Sequence, residues 1–154
     1  MPNPCFSPAL AIPAMMAAML CISTGARAEL GGTMSSEANA TAAAPQTLLN
    51  GALRLRTLTD AGNTTINEYA TNTGQIIAYT WQGPTMPDLR ALLGRYAGSY
   101  LTGAAALAPD GNLHASRVAC PDVIVESGGP MRGYAGRAWL PAALPPSVTA
   151  ADFR

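Results

Sequence analysis

From Ala52 the apolar positions recur every second residue. Leu53, Leu55 and Thr57 interleave with Arg54 and Arg56, the period of a half-buried strand. Asp60-Ala61-Gly62-Asn63 follows as a turn cluster. Thr65–Thr71 reads as a second strand, Asn72-Thr73-Gly74 as a second turn, and Gln75–Trp81 as a third, strongly β-prone strand. Three strands joined by short turns predict an antiparallel meander. The period then changes. After Gly83-Pro84, apolar residues fall at Leu89, Leu92, Leu93, Tyr96 and Tyr100, one face of a helix that runs to about Ala106. Thr85 is the expected cap, with Asp88 three residues on and Pro87 in the first turn. Gly94 and Gly98 interrupt the helix on its outer flank. A tolerated defect, or a break after the leucines, is preferred there over close approach of another backbone. Beyond Pro109-Asp110-Gly111-Asn112, alternation returns over Leu113–Ala119, Asp122–Ser127 and Met131–Leu140. The predicted class is α+β: an antiparallel sheet of a three-stranded meander, one helix, then two or three further strands, with the single helix packed on one face.

The ends of the chain differ from this middle. Ala9–Ile22 is an almost unbroken apolar run, followed by Ala26-Arg27-Ala28. That is the h-region and A-x-A site of a secretory signal, with cleavage expected after Ala28. The run is short and contains Pro13, so it suits a bilayer span poorly. Residues 1–8 carry no Lys or Arg, a departure from the usual signal pattern. Leu20 before Cys21 argues against lipidation there. The expected organisation is a signal peptide over 1–28, a flexible segment over 29–51, an α+β domain over 52–140 and a proline-rich tail over 141–154. The sequons at Asn39 and Asn63 are read as chance.

Nine acidic residues balance nine basic ones in a chain of 154. Every basic residue is arginine, and none lies in a basic run. That balance lacks the electrostatic footprint of a nucleic-acid binder or of a charge-driven membrane binder. Loss of the signal would leave Cys120 alone, without an intramolecular disulfide. It is read as a small buried hydrophobe, the alternative being pairing with another chain.

Three stretches together suggest a family. YTWQGPTMPDLRALLG (residues 79–94), DVIVESGGPMRGYAGRAWLP (residues 122–141) and the LGG after the signal resemble domain of unknown function 2844 (DUF2844). The resemblance spans nearly all of the chain after Ala28. It implies a short exported bacterial protein with no agreed activity or cofactor. The family commonly carries a histidine after the double glycine. This chain has Pro130 there, so any role of that histidine is absent. The resemblance transfers no catalytic residue.

Catalytic chemistry has few residues to work with. His114 is the only histidine, and neither Cys120 nor Ser127 sits in a recognised nucleophile frame beside it. One histidine and one retained cysteine do not make a usual zinc site without two carboxylates, and no cofactor motif occurs. Glu68 and Glu126 remain as a carboxylate pair, which a glycosidase would hold roughly 5 to 10 Å apart across a sugar. Cross-strand pairing with Arg132 or Arg137 is preferred. Tyr69, Ile77, Tyr79 and Trp81 share odd parity, and Tyr134 and Trp139 lie in the last hairpin. Tyr69, Tyr79, Trp81, Gln82 and Tyr134 are the candidate binding residues if the rings form an exposed platform. Burial in the core is preferred for these rings.

The sequence therefore points to a periplasmic or secreted small domain that binds or assembles in the cell envelope. Its expected partner is an envelope protein or glycan, with no cofactor, no metal, no nucleic acid and no stable membrane span after cleavage. The alternatives are an envelope-polymer hydrolase using Glu68 and Glu126, or a signal-anchored subunit of a membrane complex.

Overall fold

The computed structural model describes residues 28–37, 41–107, 115–129 and 133–154. Residues 1–27 of the expected signal peptide, Asn39, His114, Pro130 and Arg132 lie outside them. Seven antiparallel strands form one sheet: β1 (Gln46–Leu48), β2 (Leu53–Thr59), β3 (Thr65–Thr71), β4 (Ile76–Gly83), β5 (Ala115–Ala119), β6 (Ile124–Gly128) and β7 (Tyr134–Trp139). Their order is β1-β2-β3-β4-β7-β6-β5. The α+β class holds, but the first meander has four strands, because β1 adds to β2. The second has three and closes back on β4 through β7.

The helical region between the two meanders is broken. Helix α1 (Leu89–Leu93) is followed by a 3-10 turn over Gly94–Tyr96, then by α2 (Ala97–Leu107). Its cap differs from expectation. Asp88, not Thr85, is the N-cap, and its carboxylate accepts hydrogen bonds from the Arg90 and Ala91 amides at 3.0 and 3.1 Å. Thr85 instead ties the end of β4 to the β2–β3 loop. Its carbonyl accepts from the Thr64 hydroxyl at 2.6 Å, and its own hydroxyl donates to the Gly62 carbonyl at 3.1 Å. Pro87 thus precedes the cap and does not occupy the first turn.

Gly94 has φ +51°, and a Cβ there would sit 2.0 Å from Glu29 Oε2. The close approach of another segment explains this glycine as well as the break after the leucines does. Gly98 faces open space. Gly103 has the tight packing that Gly98 lacks: a Cβ at that position would lie 2.7 Å from Val118, so α2 lies flat on β5.

Each face of the sheet carries an apolar core. On one, Leu92 and Leu93 of α1 join Ile66, Ile76, Tyr79, Trp81, Val123 and Val125. The segment expected to be flexible after the signal contributes to the same layer: Leu30 and Met34 are buried. Its amides are bound, from Leu30 to the Leu92 carbonyl and from Gly31 to the Ile76 carbonyl, each at 2.8 Å. On the other face, the C-terminal residues 141–154 pack Val148 and Phe153 against Leu53, Tyr69, Ile77 and Trp139. Phe153 meets the Tyr69 ring at 5.0 Å between centroids. An apolar half-sheet left bare would expose a large patch to water, which is the physical reason that the proline-rich tail is ordered.

Two stability measurements test this layering. Gly94→Ala should cost about 1–3 kcal/mol in denaturant unfolding from backbone strain, and Glu29→Ala in the same chain should recover the steric share but not the strain. Phe153→Ala should cost about 3–5 kcal/mol; a loss under 1 kcal/mol would mean that the tail does not close the second face.

Candidate functional site

Two neighbouring cross-strand rows organise the chemistry, one on each face. The first runs Arg56, Glu68, Tyr79, Ala138, Val125, Val118 across six strands. It lies under α1 and the N-terminal segment. Arg56 Nη1 and Glu68 Oε2 are 3.6 Å apart, with side chains 8% and 4% exposed. Glu68 Oε2 and Arg56 Nε have no hydrogen-bond partner. The Tyr79 hydroxyl donates to the Ala28 carbonyl and lies 3.4 Å from Glu68 Oε1. Burial pushes the Glu68 carboxyl above its usual range, and the Arg56 guanidinium and the Tyr79 hydroxyl offset only part of that. Burial, with the Glu68 charge beside it, also pushes the Tyr79 phenol upward. Sequence reading singled out Glu68 and Tyr79 but not Arg56. The only available signal for Arg56 was its register opposite Glu68, which depends on the β2–β3 loop length.

The second row runs Thr57, Asn67, Thr80, Arg137, Glu126, Arg117 across the same strands on the tail-covered face. Here the polar groups partner one another. Arg137 Nε donates to Glu126 Oε2 at 2.6 Å, and Arg117 Nη1 lies 3.2 Å from Glu126 Oε1. Arg137 Nη1 also reaches the Ala150 carbonyl at 2.8 Å, and its guanidinium lies 5.2 Å from the Trp139 ring centre. The tail covers the apolar half of this face as far as Phe153 and Arg154. Beyond that edge the row floors an open cleft of about 540 Å³, lined also by Thr65, Gln82 and Arg154.

The structure separates the residues proposed from sequence. Tyr79 and Trp81 are buried on the helix side, and Tyr69 is buried on the tail side. Odd parity did not place them together, for two reasons. The β3–β4 register pairs Glu68, not Tyr69, with Tyr79. A bulge between Tyr69 and Ala70 then inserts Ile77, so that Ile77 and Ala78 both face the tail. The aromatic platform is therefore split between two cores, and of its rings only Tyr134 is substantially exposed, at 40%. Gln82 is exposed and lines the open cleft.

Glu68 and Glu126 occupy rows on opposite faces. They do not flank a common substrate, so a paired-carboxylate site is not formed. Of the pairings left open, Glu126 meets Arg137, whereas Glu68 meets Arg56. Cys120 is a free thiol covered by α2, donating to the Ser99 carbonyl at 3.3 Å. Among the described residues no cluster of three His, Cys, Asp or Glu is placed to hold a metal. No helix among them is long and apolar enough to cross a membrane.

The raised Glu68 pKa has a sign that can be measured. Between the unfolded value and the higher folded one, the native state holds more protons than the unfolded state, so stability falls as pH rises through that window. A chain retaining Ala28 should lose this component in Glu68→Gln. The wild-type minus variant difference in urea stability should decline from about pH 4.5 upward. A difference that rises with pH would reverse the assignment.

The model of the family described as Protein of unknown function (DUF2844) matches residues 26–153, and the chain belongs to that family. No curated protein and no solved structure matches it.

Proposed function

We propose that this member of the DUF2844 family is an exported domain of the cell envelope that acts by binding rather than by catalysis. The binding surface is the open half of the tail-side sheet face. The observation that carries this reading is the cleft itself: it is open to solvent and presents the hydrogen-bonding side chains of Thr65, Asn67, Thr80 and Gln82 beside the paired Glu126 and Arg137, with Arg154 of the tail at its edge. Thr65 and Gln82 face each other across β3 and β4 at its mouth, and both are exposed. Such a surface suits a hydroxyl-rich chain, so an envelope glycan is the ligand class we favour. Export is supported by the apolar run over Ala9–Ile22 and the Ala26-Arg27-Ala28 site. The hydrolase alternative is disfavoured because Glu68 and Glu126 lie on opposite faces and each is held by arginine.

Two experiments test the reading. Mass spectrometry of the protein from producing cells should find Glu29 first; an intact chain in the membrane fraction would favour the anchored-subunit alternative. Co-sedimentation with purified envelope glycan should fall several-fold in Thr65→Ala/Gln82→Ala. Its stability should stay within about 0.5 kcal/mol of wild type, as for ordinary surface changes. Unchanged retention, or release of sugar from the polymer, would overturn it.

A further inference from the structure

The buried row ends on an atom that the proposed processing would remove. The Tyr79 hydroxyl donates to the main-chain carbonyl of Ala28, the residue before the expected cleavage point. Hydrolysis of the Ala28–Glu29 amide by a signal peptidase consumes one water. It leaves a carboxylate on the departing Ala28 and an amine on Glu29, protonated in large part near neutral pH. The acceptor of Tyr79 is then gone. In its place, about 2.3 Å from where that oxygen stood, is a cation with three donors.

The surroundings fit such a group. Glu68 Oε2 is buried without a hydrogen-bond partner, and its nearest cationic atom, Arg56 Nη1, is 3.6 Å away. Tyr79, freed from Ala28, keeps Glu68 Oε1 as acceptor at 3.4 Å. Glu29 is held independently of the residues before it. Its carbonyl accepts from the Gly32 amide at 2.8 Å, and the next amide, Leu30, donates to Leu92 at 2.8 Å. Its side chain fills the space left by Gly94. The charged groups that act on the Tyr79 hydroxyl are Glu68 from β3, Arg56 from β2 and the side chain of Glu29 itself. Arg95 and Tyr96 lie behind Gly31 on the helical side.

We infer that Glu68 and Tyr79 form a receptor for the α-ammonium of Glu29, so that removal of the signal supplies the missing partner of a buried carboxylate. This deepens the proposed export and rests on it. The ligand is the chain's own new terminus. The order of events follows: the Ala28 carbonyl is bound in the core of the folded chain, so the peptidase reaches this bond before residues 28–34 dock.

The absence of lysine makes the test direct. In a chain starting at Glu29 the α-amine is the sole amine, so an amine-reactive succinimidyl ester reports one site. Protein recovered from exporting cells is sequenced, then labelled folded and in urea. The expected result is Glu29 at the terminus, with labelling at least about tenfold slower in the folded state, as for a protected group. Glu68→Gln, checked for folding by circular dichroism, should restore most of the unfolded rate, and Tyr79→Phe part of it. Where Glu68→Gln does not fold, the wild-type ratio decides. A Glu29 terminus labelled equally fast in both states overturns the receptor and leaves export standing, as does protection unchanged in folded Glu68→Gln. A terminus elsewhere overturns the receptor together with the proposed cleavage site.

Discussion

Arg56 and Glu68 stand side by side in the interior of one face, and the cost of removing two charges from water shapes what surrounds them. A buried ion pair recovers its desolvation only when its remaining donors and acceptors are met. Here they are met incompletely: one guanidinium nitrogen and one carboxylate oxygen have no hydrogen bond. Their enclosure comes from residues 28–34, which run between α1 and the β3–β4 end of the sheet. That segment is bound by backbone hydrogen bonds to both sides. The N-terminal stretch is thus part of the layer that keeps water from this pair. Its placement depends on Gly94, whose missing side chain leaves room for Glu29.

The opposite face solves the same problem differently. Glu126 and Arg137 remain partly in water, where pairing is worth little by itself. Arg137 gains its importance from its other contacts: the Ala150 carbonyl and the Trp139 ring. It links the sheet to the tail at the line where the covered apolar half meets the open polar half. The open cleft lies along that line, with Phe153 and Arg154 of the tail in its lining.

Much of the strand order was legible in local signals. Alternation located β2, β3 and the core of β4, and the apolar spacing located α1, since those periods reflect backbone geometry. Cross-strand pairing of a glutamate with an arginine of the last strand was also legible, but only the register chose Glu126 and Arg137. The misreadings have a common cause. Thr85 and Asp88 are both chemically able to cap, and only the chain path after Gly83 decides between them. Tyr69, Tyr79 and Trp81 have the same parity by number, but face is set by register, and register by loop length and one bulge. Residues 29–51 and 141–154 lack a strong period, so local reading has no means of seeing Leu30 or Phe153 as core.

By itself, the sequence determined the family, the α+β class, the poverty in catalytic residue types and the candidate export signal, because each rests on composition or on short-range pattern. Only the tertiary structure decided that Glu68 and Glu126 lie on opposite faces, that the rings are divided between two cores, and that both terminal segments close the sheet. These are consequences of long-range pairing. A residue's partner across the sheet is chosen by the summed burial of two whole faces, a quantity that no local window of the chain contains.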